Sequence, residues 1–374
     1  MQPSLYIHIP FCKRKCVYCN FYSDIYKEGL ASSYIDVLCR QGALLDIMPS
    51  SIYVGGGTPT VLDFPLLEKL LKPLEKLLRE GVEFTFEANP ESVNREKLKL
   101  LFDHGVNRLS IGVQSLDDRK LKKLGRLHSA GKALESIDIA RKTGFENIGI
   151  DLIFGVWGER LSFWEDELKS AAVLPVKHVS CYELTYEKDT PLFGALKEKS
   201  VAPLEDDVTA AMYESAIDIL SLGGFKQYEV SNFAIAGFES RHNLNYWDNA
   251  EYVGLGASAV SYINGVRSKN VSSAEEYVNR FEAGRALVES NEKLSPLRRA
   301  KETAALKIRT RAGIDFKWFK EHTGYDFCAL EKKSLARLIE EDLIKYKKEG
   351  NTPTGIRLKR RGFLFCDTVS SALL

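Results

Sequence analysis

The sequence predicts an α/β fold built on a parallel sheet, and three observations predict it. Apolar, β-rich runs recur six times in the first half of the chain. Each run is followed by a stretch with apolar residues at spacings of three and four. The alternation is regular up to about residue 185. The runs are LYIHIP from Leu5, SIYVGG from Ser51, EFTFEAN from Glu83, RLSIGV from Arg108, NIGIDLIF from Asn147 and HVSCYEL from His178. Between them, SSYIDVLCRQGALL, FPLLEKLLKPLEKLL, NREKLKLLFDHG, AGKALESIDIARKTG and SFWEDELKSAAVL read as helices. Gly105, Gly144 and Gly223 read as helix stops. Strand followed by helix, repeated, implies parallel strands joined by right-handed crossovers. A barrel, complete or partial, and a doubly wound open sheet both satisfy that pattern.

The pattern changes after residue 185. Residues 186–290 read as mixed α and β, with glycine-containing turns such as GLGASAVSYING from Gly254. From 291 to 374 the segments RAKETAALKIRTR and DFCALEKKSLARLIEEDLI read as helices, and IRLKRRGFLF as part of a closing hairpin. Helices followed by a small hairpin suggest a winged-helix-like module.

Composition bounds the function. The chain has 374 residues, 44% hydrophobic and 28% charged, enough to bury a sizeable core over two or three domains. With 52 basic and 51 acidic residues it does not suit a polyelectrolyte partner along its whole length. No run of about 18 apolar residues appears, and the start, MQPSLYIHIPFC, lacks the regions of a signal peptide. A cytoplasmic location with reduced thiols is expected. Residues 291–374 hold 19 Lys and Arg against 11 Asp and Glu. Such a run is usually a solvated face. Without an aromatic-interleaved groove, no nucleic-acid partner is expected; peripheral membrane contact and a homodimer remain open.

Three of the seven cysteines, Cys12, Cys16 and Cys19, form C-x3-C-x2-C directly after the first strand. Thiolates are soft ligands for iron–sulfur clusters or zinc. A structural zinc site usually pairs two C-x2-C units, and no second unit exists here. Three thiolates on a [4Fe–4S] cluster leave one iron without a cysteine, a coordination site for another molecule. Cys39, Cys181, Cys328 and Cys366 are spread out and read as ordinary small core residues. Gly55–Pro59, GGGTP, ends the second strand, and glycines there let the backbone approach a ligand. Glu87 ends the third strand, Gln114 ends the fourth and Asp151 lies inside the fifth. In a parallel barrel, ligand groups gather at the C-terminal ends of strands.

The cysteine spacing, with Tyr18 before the third cysteine and GGGTP in register, resembles the radical S-adenosylmethionine (SAM) superfamily. That resemblance implies a partial (β/α)6 radical SAM barrel, a [4Fe–4S] cluster and SAM. YIHIPFCKRKCVYCNF, GGGTPT, FEANPES, RLSIGVQS, LGRLHSA, IDLIFG and HVSCYEL tighten it to one branch, the oxygen-independent coproporphyrinogen oxidases and the related haem chaperones. By that resemblance Tyr6, Gly56, Gly57, Thr58, Glu87, Gln114, Arg126 and Asp151 occupy SAM-binding positions. Glu87 would meet the ribose or other main polar groups, and Arg126 the carboxylate region. The oxidases carry a fourth cysteine two residues after the third, where this chain has Phe21 after Asn20. They also carry an N-terminal extension, whereas eleven residues precede Cys12 here. Both departures, together with EVSNFA and the HNLNYW segment at His242–Trp247, resemble the chaperones. The expected function is therefore to bind haem, with His242 as its ligand, and to pass it to acceptor haem proteins. The alternative is an oxidase-like radical reaction on a porphyrinogen, so whether the chain is an enzyme stays open.

Overall fold

The computed structural model describes residues 2–374. All six expected strands form: β1 (Ser4–Ile9), β2 (Ser51–Gly56), β3 (Glu83–Ala88), β4 (Arg108–Gln114), β5 (Asn147–Phe154) and β6 (His178–Glu183). They are parallel and lie side by side in chain order. A doubly wound sheet reverses its strand order in the middle, so unreversed order decides for barrel winding. The barrel does not close. β6 pairs antiparallel with β8 (Asn232–Ala234), which pairs with β7 (Lys226–Gln227). On the other side β1 pairs parallel with β9 (Tyr252–Leu255). From there β10 (Val260–Ile263), β11 (Val266–Asn270) and β12 (Val288–Lys293) extend the same sheet.

Period-2 alternation assigns the two faces of the barrel strands. Leu5, Ile7, Ile52, Val54, Phe84, Phe86, Leu109, Ile111, Ile148 and Ile150 are buried in one apolar cluster with the inner faces of the helices. Their neighbours Tyr6, Tyr53, Glu87, Arg108, Ser110, Asp151, His178 and Ser180 line the inside of the barrel.

The helices are α1 (Glu28–Leu44), α2 (Phe64–Leu71), α3 (Arg95–Asp103), α4 (Asp118–Lys123), α5 (Ala130–Thr143) and α6 (Leu161–Ala172). Local chemistry sets their ends. Asn94 accepts from the Lys97 N–H at 2.8 Å, and Ser129 from that of Lys132 at 3.2 Å. Gly144 closes α5 in the left-handed region. Pro73 lacks an N–H, and the FPLLEKLLKPLEKLL run passes there from α-helix into 3-10 turns over Lys72–Leu77. The stop expected at Gly223 is shared with Gly224, which takes φ 86° after α8 (Asp206–Leu222). Gly223 itself leaves room for Ala172, whose Cβ would lie 2.8 Å from an added methyl.

Trp164 on α6 is fully buried, and its Nε1 donates to the Met212 carbonyl at 2.8 Å, joining α6 to α8. Trp164→Ala is expected to destabilise the fold by about 3–5 kcal/mol, from the cavity and the orphaned carbonyl together. A urea titration that shows less than 1 kcal/mol (an order-of-magnitude floor for such deletions) would contradict this.

Two shorter helices, α7 (Pro191–Lys197) and α9 (Arg241–Trp247), lie either side of α8, and α10 (Ala274–Glu282) packs on α1. The C-terminal part runs α11 (Pro296–Lys307), β13 (Ile314–Asp315), α12 (Phe316–Thr323), α13 (Phe327–Leu330), α14 (Lys332–Glu340), β14 (Ile344–Glu349) and β15 (Thr352–Leu358). Its sheet has the order β13-β15-β14, a winged-helix arrangement, and α15 (Arg360–Leu364) and α16 (Cys366–Ala372) follow. The boundary expected at residue 290 falls inside β12, which pairs with β11 through Lys293. Residues 291–293 therefore belong to the large sheet. Part of the basic excess of this region is paired: Arg360 holds Asp218 with two bonds of 2.6 and 2.7 Å, and Lys307 bonds Asp248.

Candidate functional site

A cavity of about 560 Å³ occupies the barrel and opens toward the cysteine loop. The glycine segment after β2 docks on that loop. The Gly57 N–H donates to the Ile9 carbonyl at 2.9 Å, and the Thr58 N–H to that of Phe11 at 2.8 Å. Gly56 turns at φ 113°, and a methyl at Gly57 would sit 2.8 Å from the Phe11 oxygen. Only glycine permits both the turn and the close approach.

Cys12, Cys16 and Cys19 all line this cavity and none is in a disulfide. The Cys12 Sγ lies 3.5 Å from the Thr58 hydroxyl, and Arg126 Nη1 donates to the Cys16 Sγ at 3.3 Å. Burial pushes the Cys12 and Cys19 thiols up from their ordinary value. Among the described residues, no group of three His, Cys, Asp or Glu side chains converges on a single ion. A four-iron cluster does not ask for that, because each thiolate takes a different iron. Three free thiols facing one cavity, one of them bonded by a guanidinium, fit such a cluster and not a one-metal centre.

All eight of the expected SAM-binding residues line the same cavity. Arg126 Nη2 donates to the Asn89 side-chain oxygen at 2.6 Å and to the Gly112 carbonyl at 3.0 Å. The Asn89 amide in turn donates to Thr58 Oγ1 at 2.8 Å. Asn89 therefore ties the arginine to the glycine segment. Gln114 ends β4 at φ 64°, a region that costs energy for a residue with a side chain. Its amide nitrogen would lie 2.9 Å from a methyl at Gly112, so it folds back over that glycine. Glu87 accepts from the Tyr53 hydroxyl at 2.6 Å and from the Gly56 N–H at 3.0 Å. Burial still raises its carboxyl to about 7. Asp151 is also pushed up by burial, with Ser110 at 3.5 Å. Tyr6 lines the cavity and bonds His8 Nδ1 at 2.9 Å.

A model of the radical SAM superfamily matches residues 6–169, and a model of the HemN C-terminal domain matches residues 294–365. The heme chaperone HemW of Bacillus subtilis (strain 168) is 35% identical over 382 residues, covering 99% of both chains. The chain belongs to the HemW family. The HemW of Lactococcus lactis subsp. lactis is 36% identical, over 91% of this chain and 90% of its own. Among solved structures, the coproporphyrinogen III oxidase HemN of Escherichia coli superposes with a TM-score of 0.85 at 21% identity, over 100% of this chain and 90% of that one. That likeness is one of fold.

In this HemW-family chain His242 does not line the cavity, although its ring lies 6.4 Å from that of Tyr6. It is 2% exposed, behind the cavity wall, and stacks on Tyr53 with centroids 4.9 Å apart. Its Nδ1 bonds the Ser51 hydroxyl at 2.8 Å and its Nε2 the Tyr246 hydroxyl at 3.1 Å. Burial, then the charge of Arg108, pushes it down to about 3, so it is neutral. Both ring nitrogens are engaged, and in this conformation His242 has no free lone pair for iron.

The sequence reading passed over Tyr53, Asn89, Arg108 and His178, all of which line the cavity. The signal was present: in YIHI, SIYV, RLSIG and HVSC the polar residues alternate with apolar ones, so they share the face opposite the helices.

The raised carboxyl of Glu87 sets a pH dependence. In the unfolded chain it ionises near 4.5 and in the folded one near 7, so the folded state holds the extra proton between them. Stability from this group is full below about pH 4.5 and is lost as pH rises through about 7. The loss is on the order of 3 kcal/mol. Glu87→Gln is expected to flatten this slope, which denaturant titrations at pH 5 and pH 7.5 (roughly either side of the linkage window) would measure. Equal slopes in the two proteins would refute it.

Proposed function

We propose that this chain binds haem and passes it to acceptor haem proteins, and that a [4Fe–4S] cluster and SAM occupy the barrel cavity. The observation that carries the reading is the end-to-end likeness to a heme chaperone, with no large segment of either chain left over. A cluster on Cys12, Cys16 and Cys19 would supply an electron and an open iron that binds SAM. The chain's own residues do the rest. Arg126, held by Asn89 and Gly112, would present a guanidinium to SAM's carboxylate. Glu87, fixed by Tyr53 and Gly56, would meet SAM's ribose or other main polar groups. Asp151, Gln114 and Tyr6 bound the remaining wall and limit water.

His242 is the proposed haem ligand, reached when Tyr246 swings aside. One hydroxyl bond shields its Nε2. Such a bond is worth about 1 kcal/mol, a roughly fivefold effect on affinity. Tyr246→Phe is therefore expected to tighten haem binding about fivefold, while His242→Ala weakens it and changes the haem absorbance. Anaerobic reconstitution, haem loading and addition of an apo-haem acceptor test the function. Stoichiometric binding followed by transfer supports it. Haem that binds weakly and does not transfer, with SAM cleaved when a porphyrinogen is added, would overturn it for the oxidase-like reading.

A further inference from the structure

The cavity continues below Glu87 and Asp151 to a floor that none of the SAM positions uses. Arg108, at the start of β4, is 2% exposed and lines this floor. Its Nη1 lies at 3.5 Å from the Thr85 hydroxyl, and its Nε has no acceptor among the described residues. Glu87 and Asp151 feel its charge through space, but their hydrogen bonds go elsewhere. A buried guanidinium without a bonded counter-charge is costly.

His178 faces the same floor from β6. Its Nε2 bonds the Tyr228 hydroxyl at 2.8 Å, and that hydroxyl accepts from the Ser240 N–H at 3.4 Å. Among the described residues the hydroxyl has no other acceptor, so its proton goes to Nε2 and the ring proton sits on Nδ1. That Nδ1 is buried without a partner. A methyl at Gly149 would lie 3.3 Å from His178 Nδ1 and 3.5 Å from Arg108 Nη2. Glycine at 149 therefore keeps a small space open between two donors. Donors without acceptors, one of them a cation, at the blind end of a ligand cavity match a carboxylate.

We propose that Arg108 and His178, with the space kept by Gly149, form a carboxylate-binding subsite at the barrel floor. It takes the end of a flexible acidic arm. The proposal deepens the haem reading and rests on it. With Arg126 facing SAM's carboxylate at the cluster end, the first source is a propionate arm of the porphyrin cargo; SAM's own carboxylate is the second.

The test titrates the full-length, cluster-reconstituted chain with haem and with haem dimethyl ester, followed by absorbance. SAM and decarboxylated SAM are compared in parallel by equilibrium dialysis. Arg108→Gln is expected to weaken haem about 10- to 100-fold, the scale of a lost charged hydrogen bond, and to leave the ester unchanged. Arg108→Lys should recover part of the loss. Gly149→Ala, which keeps the charge and fills the space, should weaken haem in the same acid-specific way and holds the test open if Arg108→Gln fails to fold. An acid-specific loss confined to SAM supports the subsite and assigns it to SAM's carboxylate. Equal losses for acid and neutral forms, or no loss in any pair, overturn it, and equal losses make Arg108 a counter-charge for Glu87 and Asp151. If the unaltered chain binds neither haem nor its ester, the haem reading fails, while the SAM pair still decides the subsite.

Discussion

Cys16→Ala is expected to abolish the iron–sulfur centre after anaerobic reconstitution, with near-complete loss of bound iron and of the brown absorbance. The reason is arithmetic of ligands. The loop offers three thiols to this cavity, and Cys39, Cys181, Cys328 and Cys366 do not line it. Two thiolates cannot hold a cluster that ordinarily takes four cysteines. Cys16 is also the thiol that Arg126 touches, so its loss removes that hydrogen bond as well. Cys39→Ala serves as the control, since Cys39 bonds the Lys69 carbonyl at 3.0 Å on the far side of α1 and should leave iron content unchanged. Iron retained at the unaltered level in Cys16→Ala would rule out the three-cysteine cluster.

Arg126→Met is expected to weaken SAM binding by roughly 30- to 1000-fold, the range for removing one partner of a buried, hydrogen-bonded charge. The guanidinium bonds three acceptors on three different segments: the Cys16 sulfur, the Asn89 side chain and the Gly112 carbonyl. Methionine fills the volume but leaves Asn89 and Gly112 without their donor. Lysine should not rescue it, because one ammonium cannot span that fan of acceptors. Asn89→Ala should show a smaller loss of the same kind, since it frees Arg126 from Thr58. Equilibrium dialysis against SAM measures both. An unchanged affinity in Arg126→Met would remove Arg126 from the site.

The cluster loop and the strand ladder were legible because their signals are local. Three thiols within eight residues, GGGTP at a strand end, and six strand–helix alternations need no knowledge of distant contacts. Arg108 shows the limit. In RLSIGVQS its alternation with apolar residues gives it a face, but nothing nearby in sequence names what it meets there. Its surroundings come from β3, β5 and β6, through Thr85, Gly149 and His178. His242 shows the same limit. The resemblance of HNLNYW implies a haem ligand, and nothing in that segment names its partners Ser51 and Tyr53, which lie about 190 residues away in sequence, a separation the contacts themselves record. Only folding reveals that both of its ring nitrogens are already hydrogen-bonded.

The sequence by itself determined the α/β class, the six strand–helix alternations, the three-thiol loop and its glycine partner. Periodicity and spacing are properties of neighbouring residues, and hydrophobic burial acts on them directly. Tertiary structure alone decided that the barrel stays open, that β12 carries the sheet past residue 290, and that Asn89 joins Arg126 to Thr58. It also decided which polar residues meet inside. An inward side chain's partners are set by the register and stagger of strands far apart in the chain, and the cost of burying it depends on those partners.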